Sequence, residues 1–143
     1  MTKNDHEESE AYLDEIFGDG AGQRHTALLE RFASPSLRDT LHGYHVLESN
    51  TEHISLEENY LLGMCVLCAS KNFTSAAMFA KTLCHLGVAP EKIYEATSRL
   101  SMWIGGVPAA EALGHIQKAV KHYQREGQAS LAPWFPTATG ETE

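Results

Sequence analysis

Apolar residues recur along this chain at three- and four-residue steps, the spacing that lines one face of an α-helix. Tyr12, Leu13, Ile16 and Phe17 form a short stripe that stops at the turn Gly18-Asp19-Gly20. Leu28, Leu29 and Phe32 predict a second short helix. Ser34-Pro35 reads as an N-cap followed by proline at the first helical position. That helix is expected to reach about Glu48, with Leu37, Leu41 and Tyr44 or His45 facing inward, although Gly43 in its middle counts against it.

Ser55-Leu56-Glu57-Glu58 has the spacing of a capping box, with the Glu58 side chain returning to the Ser55 amide. Leu56, Tyr60, Leu61, Met64, Cys65 and Cys68 follow on one stripe, and Leu62, Val66 and Leu67 are apolar on other faces. The expectation is a central helix buried nearly all round. Lys71-Asn72 breaks it, and Thr74 or Ser75 is the expected cap of the next helix, whose Ala76, Ala77 and Ala80 permit close approach. Gly87 suits the left-handed position that ends a helix, and Ala89-Pro90-Glu91 starts another with proline and an acid in its first turn. Ile93, Ala96, Thr97 and Leu100, with Trp103 or Ile104, carry that stripe to Gly105-Gly106. Val107 is expected to be extended because it precedes Pro108, which opens the last long helix. Ala109, Ala112, Leu113, Ile116, Val120 and Tyr123 then repeat as far as Gly127. No segment alternates long enough for a strand, so the fold class is all-α. Pro133, Trp134, Phe135 and Pro136 place two large aromatics on the tail, where they are expected to dock.

A chain of 143 residues suggests one domain over 1–143, with an acidic tail at 1–10 and an irregular C-terminal tail at 128–143. Hydrophobic content of 43% and charged content of 21% fit a globular protein. The net charge of −8 repels phosphate backbones and argues against a nucleic-acid partner. No apolar run reaches the roughly 20 residues that span a bilayer, so no membrane association is expected. MTKNDHEESE lacks a hydrophobic signal core, and the expected location is cytoplasmic. Three cysteines argue against a disulfide framework.

Residues 54–120 resemble the carboxymuconolactone decarboxylase family, which includes the alkylhydroperoxidase D-like proteins. The resemblance rests on Ile54-Ser55 before an acidic and then apolar helix, on Gly87-Val88 followed by Pro90-Glu91-Lys92-Ile93, and on IGGVPAAEALGHI at 104–116. The decarboxylase branch shows Tyr-x-Gly-Val-Pro-Ala-Ala and then Asn. Here Gly106-Val107-Pro108-Ala109-Ala110 match, while Ile104 replaces the tyrosine and Glu111 the asparagine. The resemblance implies a compact helical subunit in a homo-oligomer, a trimer or hexamer, with a small-molecule ligand; no cofactor is expected. The peroxidase branch places Cys-x-x-Cys and a histidine at positions that count here to Asn72, Ser75 and Phe79. A family glutamate falls at or beside Tyr60, with Glu57 and Glu58 within one turn.

Several groups are candidates for chemistry. Cys65-Val66-Leu67-Cys68 has the spacing of a redox pair but lies two to three turns beyond the Ser55 cap, where burial would withhold the thiolate. Two small core residues are the plainer reading. His42 and His45 share one helical face at metal-sharing spacing, but a third ligand is needed, and Glu48, Glu52 and His53 qualify only by nearness in sequence. No metal is therefore expected, and His45 stands as a general acid/base candidate beside the plainer reading of a polar flank. Glu111 and His115, one turn apart, form a second acid/base candidate, beside the equal reading of His115 as a surface residue. Arg99 is a cation for a carboxylated ligand, or the partner of Glu95 in an exposed ion pair.

Three readings follow. The first is an enzyme acting on a carboxylated or lactone-type metabolite, with His45, Glu58, Tyr60, Glu111 and His115 as its acid/base set and a pocket lined by Tyr60, Phe79 and Trp103. The second is a thiol-dependent antioxidant protein using Cys65 and Cys68. The third is a catalytically degenerate ligand-binding or scaffold member.

Overall fold

The computed structural model describes residues 2–134, which contain helices and turns and no strand. The chain divides into two compact units, one holding the helices of Met1–Glu52 and the other His53–Leu131. The length alone suggests one domain and does not announce this division.

In the first unit, α1 (Lys3–Phe17) begins well upstream of the apolar stripe, so most of the expected acidic tail is helical. Its start is set by a capping box. The Thr2 hydroxyl accepts the Asp5 amide at 3.3 Å, and the Asp5 carboxylate accepts the Thr2 amide at 2.8 Å. α1 buries Ser9, Tyr12, Leu13 and Ile16 and stops at Gly18, whose φ of 91° favours glycine. α2 (Ala21–Phe32) packs on α1 at Gly22, where a Cβ would fall onto the main-chain Cα and oxygen of Glu10. α3 (Pro35–Ser49) starts as its sequence requires, with the Ser34 hydroxyl accepting the Leu37 amide at 3.4 Å.

The inward face of α3 differs in part from the expected one: of the alternatives Tyr44 and His45 it is His45 that meets α1. Leu37 is 48% exposed and Tyr44 59%, while His42 is 1% exposed. α3 packs against α1, and the groups that meet α1 are His42 and His45 at Ser9, and Glu48, which accepts from the Tyr12 hydroxyl at 3.3 Å.

In the second unit, α4 (Leu56–Ala69) has the expected capping box between Ser55 and Glu58. Its burial does not run all round. Tyr60, Met64 and Cys68 face α5 (Phe73–His85) and the core, while Leu62 and Val66 are 58% and 59% exposed. α5 is capped by Asn72, not by Thr74 or Ser75: the Asn72 side chain accepts the Ser75 amide at 3.4 Å. Its end is a Schellman arrangement at Gly87 (φ 87°), with the Val88 amide donating to the Leu83 carbonyl at 2.9 Å.

α6 (Pro90–Arg99) buries Ile93 and Thr97, and the short α7 (Ser101–Ile104) ends at Gly105. α8 (Gly106–Glu126) begins two residues before Pro108, so Val107 is helical and not extended. Proline is tolerated there because amides of the first turn have no acceptor within the helix. α8 packs on α5 and α6 through Ala109, Ala112, Ile116, Ala119 and Val120, then gives way to a 3-10 segment, Gly127–Trp134, that buries Leu131. The expected docking of Trp134 and Phe135 concerns the Trp134 side chain and a residue past the segment, both outside what is described. No helix among the described residues is long and apolar enough to cross a membrane.

Candidate metal centre

Each helix of the first unit contributes to one buried polar cluster. α3 brings His42 and, almost one turn on, His45, both directed at Ser9 of α1. The Ser9 Oγ lies 2.9 Å from His42 Nδ1 and 3.1 Å from His45 Nδ1, and Ser9 itself is fully buried. α2 brings His25, which meets both rings edge-on, with centroids 5.8 Å from His42 and 4.8 Å from His45. One ligand-capable atom from each of the three side chains lies within 4.8 Å of the others. The cluster exists because Gly22 lets α2 approach α1 so closely, and His25 sits about one turn further along.

Burial sets the protonation state. Desolvation first, then repulsion from the neighbouring imidazoles, pushes His25 and His45 down to about 4. The same loss of water lowers His42, with His6 adding to the shift. Glu10, held by the Thr26 hydroxyl at 2.6 Å, opposes the shift at His25 and His42 without reversing it. At neutral pH the rings are uncharged and their lone pairs are available. A base of pKa near 4 is poorly matched to proton transfer at pH 7, but neutral imidazole is the form that binds metals.

A fourth ring continues the cluster toward solvent. His6, on α1, stacks on His42 with centroids 4.3 Å apart and planes at 22°. Its Nε2 lies 3.3 Å from Asp39 Oδ1 on α3, and these two side chains keep 39% and 53% of their surface exposed.

The other expected site residues lie in the second unit and are not gathered into one site there, although Glu111 and His115 are neighbours. Glu58 is engaged in the cap of α4. Tyr60 is buried with its ring 4.8 Å from that of Phe79. Trp103, expected to line a pocket with them, is 81% exposed. The groove of about 380 Å³ beside Phe79 is instead lined by Asn59, Leu62, Gly63, Val66 and Leu67. Glu111 and His115 share a shallow depression of about 200 Å³ with Lys118, and the His115 ring stacks on Phe73 at 4.4 Å. Cys65 and Cys68 are free thiols; burial raises both, Cys68 to about 11, which keeps them protonated. Arg99 pairs with Glu95 at 3.3 Å on the surface.

Sequence reasoning missed Ser9, His25 and His6. His25 stands three and four residues before Leu28 and Leu29, on the stripe that predicts α2, and that spacing is a readable sign of an inward side chain. Ser9 and His6 are hidden in a stretch that otherwise looks solvated. Also unforeseen is a polar seam in the second unit. There Lys81 Nζ lies 2.9 Å from His122 Nδ1 and donates to the Ser130 carbonyl at 3.2 Å, while His85 Nδ1 lies 3.0 Å from the Tyr123 hydroxyl. No family model, no curated protein and no solved structure matches the chain.

Proposed function

We propose that this protein binds a divalent transition-metal ion of the zinc class through His25, His42 and His45. The observation that carries this reading is the convergence of the buried His25 and His42 with the half-buried His45, each offering a ring nitrogen within 4.8 Å of the others, two of the rings sharing the Ser9 hydroxyl. Tetrahedral zinc holds its nitrogens about 3.3 Å apart, so the rings would draw in by up to about 1.5 Å, within reach of small side-chain rotations. Ser9 supplies the supporting contact such sites use. Its oxygen has two lone pairs and can accept from both Nδ1–H groups, which leaves both Nε2 atoms unprotonated. Three protein ligands also leave a fourth position for water or a substrate oxygen, the arrangement of Lewis-acid sites.

The test is a metal titration of the dialysed protein. One zinc per chain is expected, lost in His25→Ala and His42→Ala while the helical circular dichroism persists. Wild-type protein that takes up no zinc at micromolar concentration would overturn the reading.

A second reading concerns His53–Leu131, as a divergent carboxymuconolactone decarboxylase-like scaffold for a small carboxylated or lactone-type ligand. What favours it is the realised punctuation, with positive φ at Gly87 and Gly105 flanking helices that start at Pro90 and Gly106. Under this reading the chain assembles as a trimer or hexamer, and the exposed Leu62, Val66, Trp103 and Val107 suit subunit contacts. Light scattering that returns a monomer at all concentrations would remove it. The thiol-dependent alternative predicts loss of peroxide turnover in Cys65→Ser or Cys68→Ser, and the raised thiols argue against it.

A further inference from the structure

Two of the three proposed metal ligands are buried, His25 at 7% exposure and His42 at 1%, with His45 half-buried, so an ion in solvent needs a route to the first two. A hydrated dication cannot cross an apolar surface, because shedding its water without replacement ligands is prohibitive. Each step inward must therefore present a new donor as water is lost. The first unit has such a series. His6 stacks on His42 at 4.3 Å, His42 meets His25 at 5.8 Å, and His25 meets His45 at 4.8 Å. At the outer end an imidazole nitrogen and a carboxylate oxygen sit 3.3 Å apart, both substantially exposed. That separation matches the distance between two ligand atoms on one zinc ion.

Resting on the metal reading above, we infer that His6 and Asp39 form the port of the site, capturing a divalent metal ion at the surface and handing it inward to His42. Capture replaces whatever proton His6 and Asp39 share, and that proton leaves to solvent. The ion then exchanges the two outer ligands for His42, His25 and His45 in turn. The setting favours cations. Glu10 lies next along α1, Glu7 and Glu8 share its opening turns, and the whole chain carries a net charge of −8. The His6–Asp39 contact also links α1 to α3, so a purely structural clip is the competing role, and the experiment must separate the two.

Cobalt(II) is the probe, since its visible absorption intensifies on tetrahedral binding and can be followed by stopped flow. In wild-type protein the association rate should fall as salt is raised, as expected for a steered cation. In His6→Gln and in Asp39→Asn the association and dissociation rates should both drop by about tenfold or more, within the range that steering supplies. Stoichiometry and equilibrium affinity should stay unchanged, and the double variant should be little slower than either single one because the pair acts as a unit.

Asp39 is exposed, so Asp39→Asn keeps the test valid if His6→Gln disturbs the fold. Unchanged association rates in both variants would overturn the port and leave the metal reading standing. So would a loss of affinity with association intact, which is the signature of a clip or of a fourth ligand. Failure of the wild-type protein to bind cobalt or zinc at all would overturn both.

Discussion

Ser9 is a hydroxyl with no exposure that serves two rings at once, so its removal separates packing from polar support. Ser9→Ala leaves the buried His42 Nδ1 and the part-buried His45 Nδ1 without their shared oxygen, a cost of about 1–3 kcal/mol that falls mainly on the ring shut away from water. Zinc affinity should fall by roughly 10–100-fold, the usual effect of removing a supporting contact behind a metal ligand. Competition against a chromophoric chelator measures the affinity, and an unchanged value would show that the rings are oriented by packing alone.

Gly22 sets two effects against each other. Alanine is favoured over glycine inside a helix by about 1 kcal/mol. Against this, the new methyl meets the main-chain Cα and oxygen of Glu10, and helix backbone cannot step aside as a flexible side chain does. The clash should win, because overpacking typically costs about 1–3 kcal/mol and here it also parts α2 from α1. Gly22→Ala is therefore expected to melt earlier than wild type and to bind zinc more weakly, both readable in one thermal titration.

Helix ends behave more locally than helix faces. Thr2 caps α1 beyond the buried positions, so Thr2→Ala should cost about 1 kcal/mol and fray the first turn. Amide hydrogen exchange should quicken over the opening turn while zinc affinity holds, since Ser9 lies a further turn inside. The same locality explains which elements are legible. Ser34-Pro35, Ser55 with Glu58, Gly87 before Pro90, and Gly127 mark boundaries through chemistry that acts within four residues, and these boundaries appear where expected. The start of α1 was hidden because its first turns are polar and their one fully buried position is a serine. The burial of α4 is less than its sequence predicts, since the sequence shows that Leu62 and Val66 are apolar but not that α5 covers only the opposite side. Likewise Leu37 and Tyr44 had the periodicity of an inward face, and only the partner helix decides that His42 takes that place.

At the scale of the whole chain the candidate site was half legible. His42 and His45 declare themselves by spacing on one helix, whereas His25 comes from another helix, and no pattern within α3 can supply a ligand from α2. That assembly has a consequence in pH. His25 and His45 titrate near 4 when folded and near about 6.5 when unfolded, because burial disfavours their charged forms. Between those values the unfolded chain binds more protons, so stability falls as pH drops from about 6.5 toward 4 and the effect is complete below the folded value. Each ring can contribute at most on the order of 3 kcal/mol, less where the rings act on one another and less again where solvent screens the half-buried His45. Carboxylates also weaken proteins in acid, so the diagnostic quantity is a difference. Metal-free wild type should lose more melting temperature between pH 6.5 and 4 than metal-free His25→Gln, which has one buried base fewer. Zinc at about 100 times its dissociation constant should add about 2.7 kcal/mol to the wild type alone, because only the folded triad holds the ion. Parallel melting curves for the two metal-free proteins across that range would mean that His25 is not held neutral by burial, and the argument for three waiting lone pairs would fail with it.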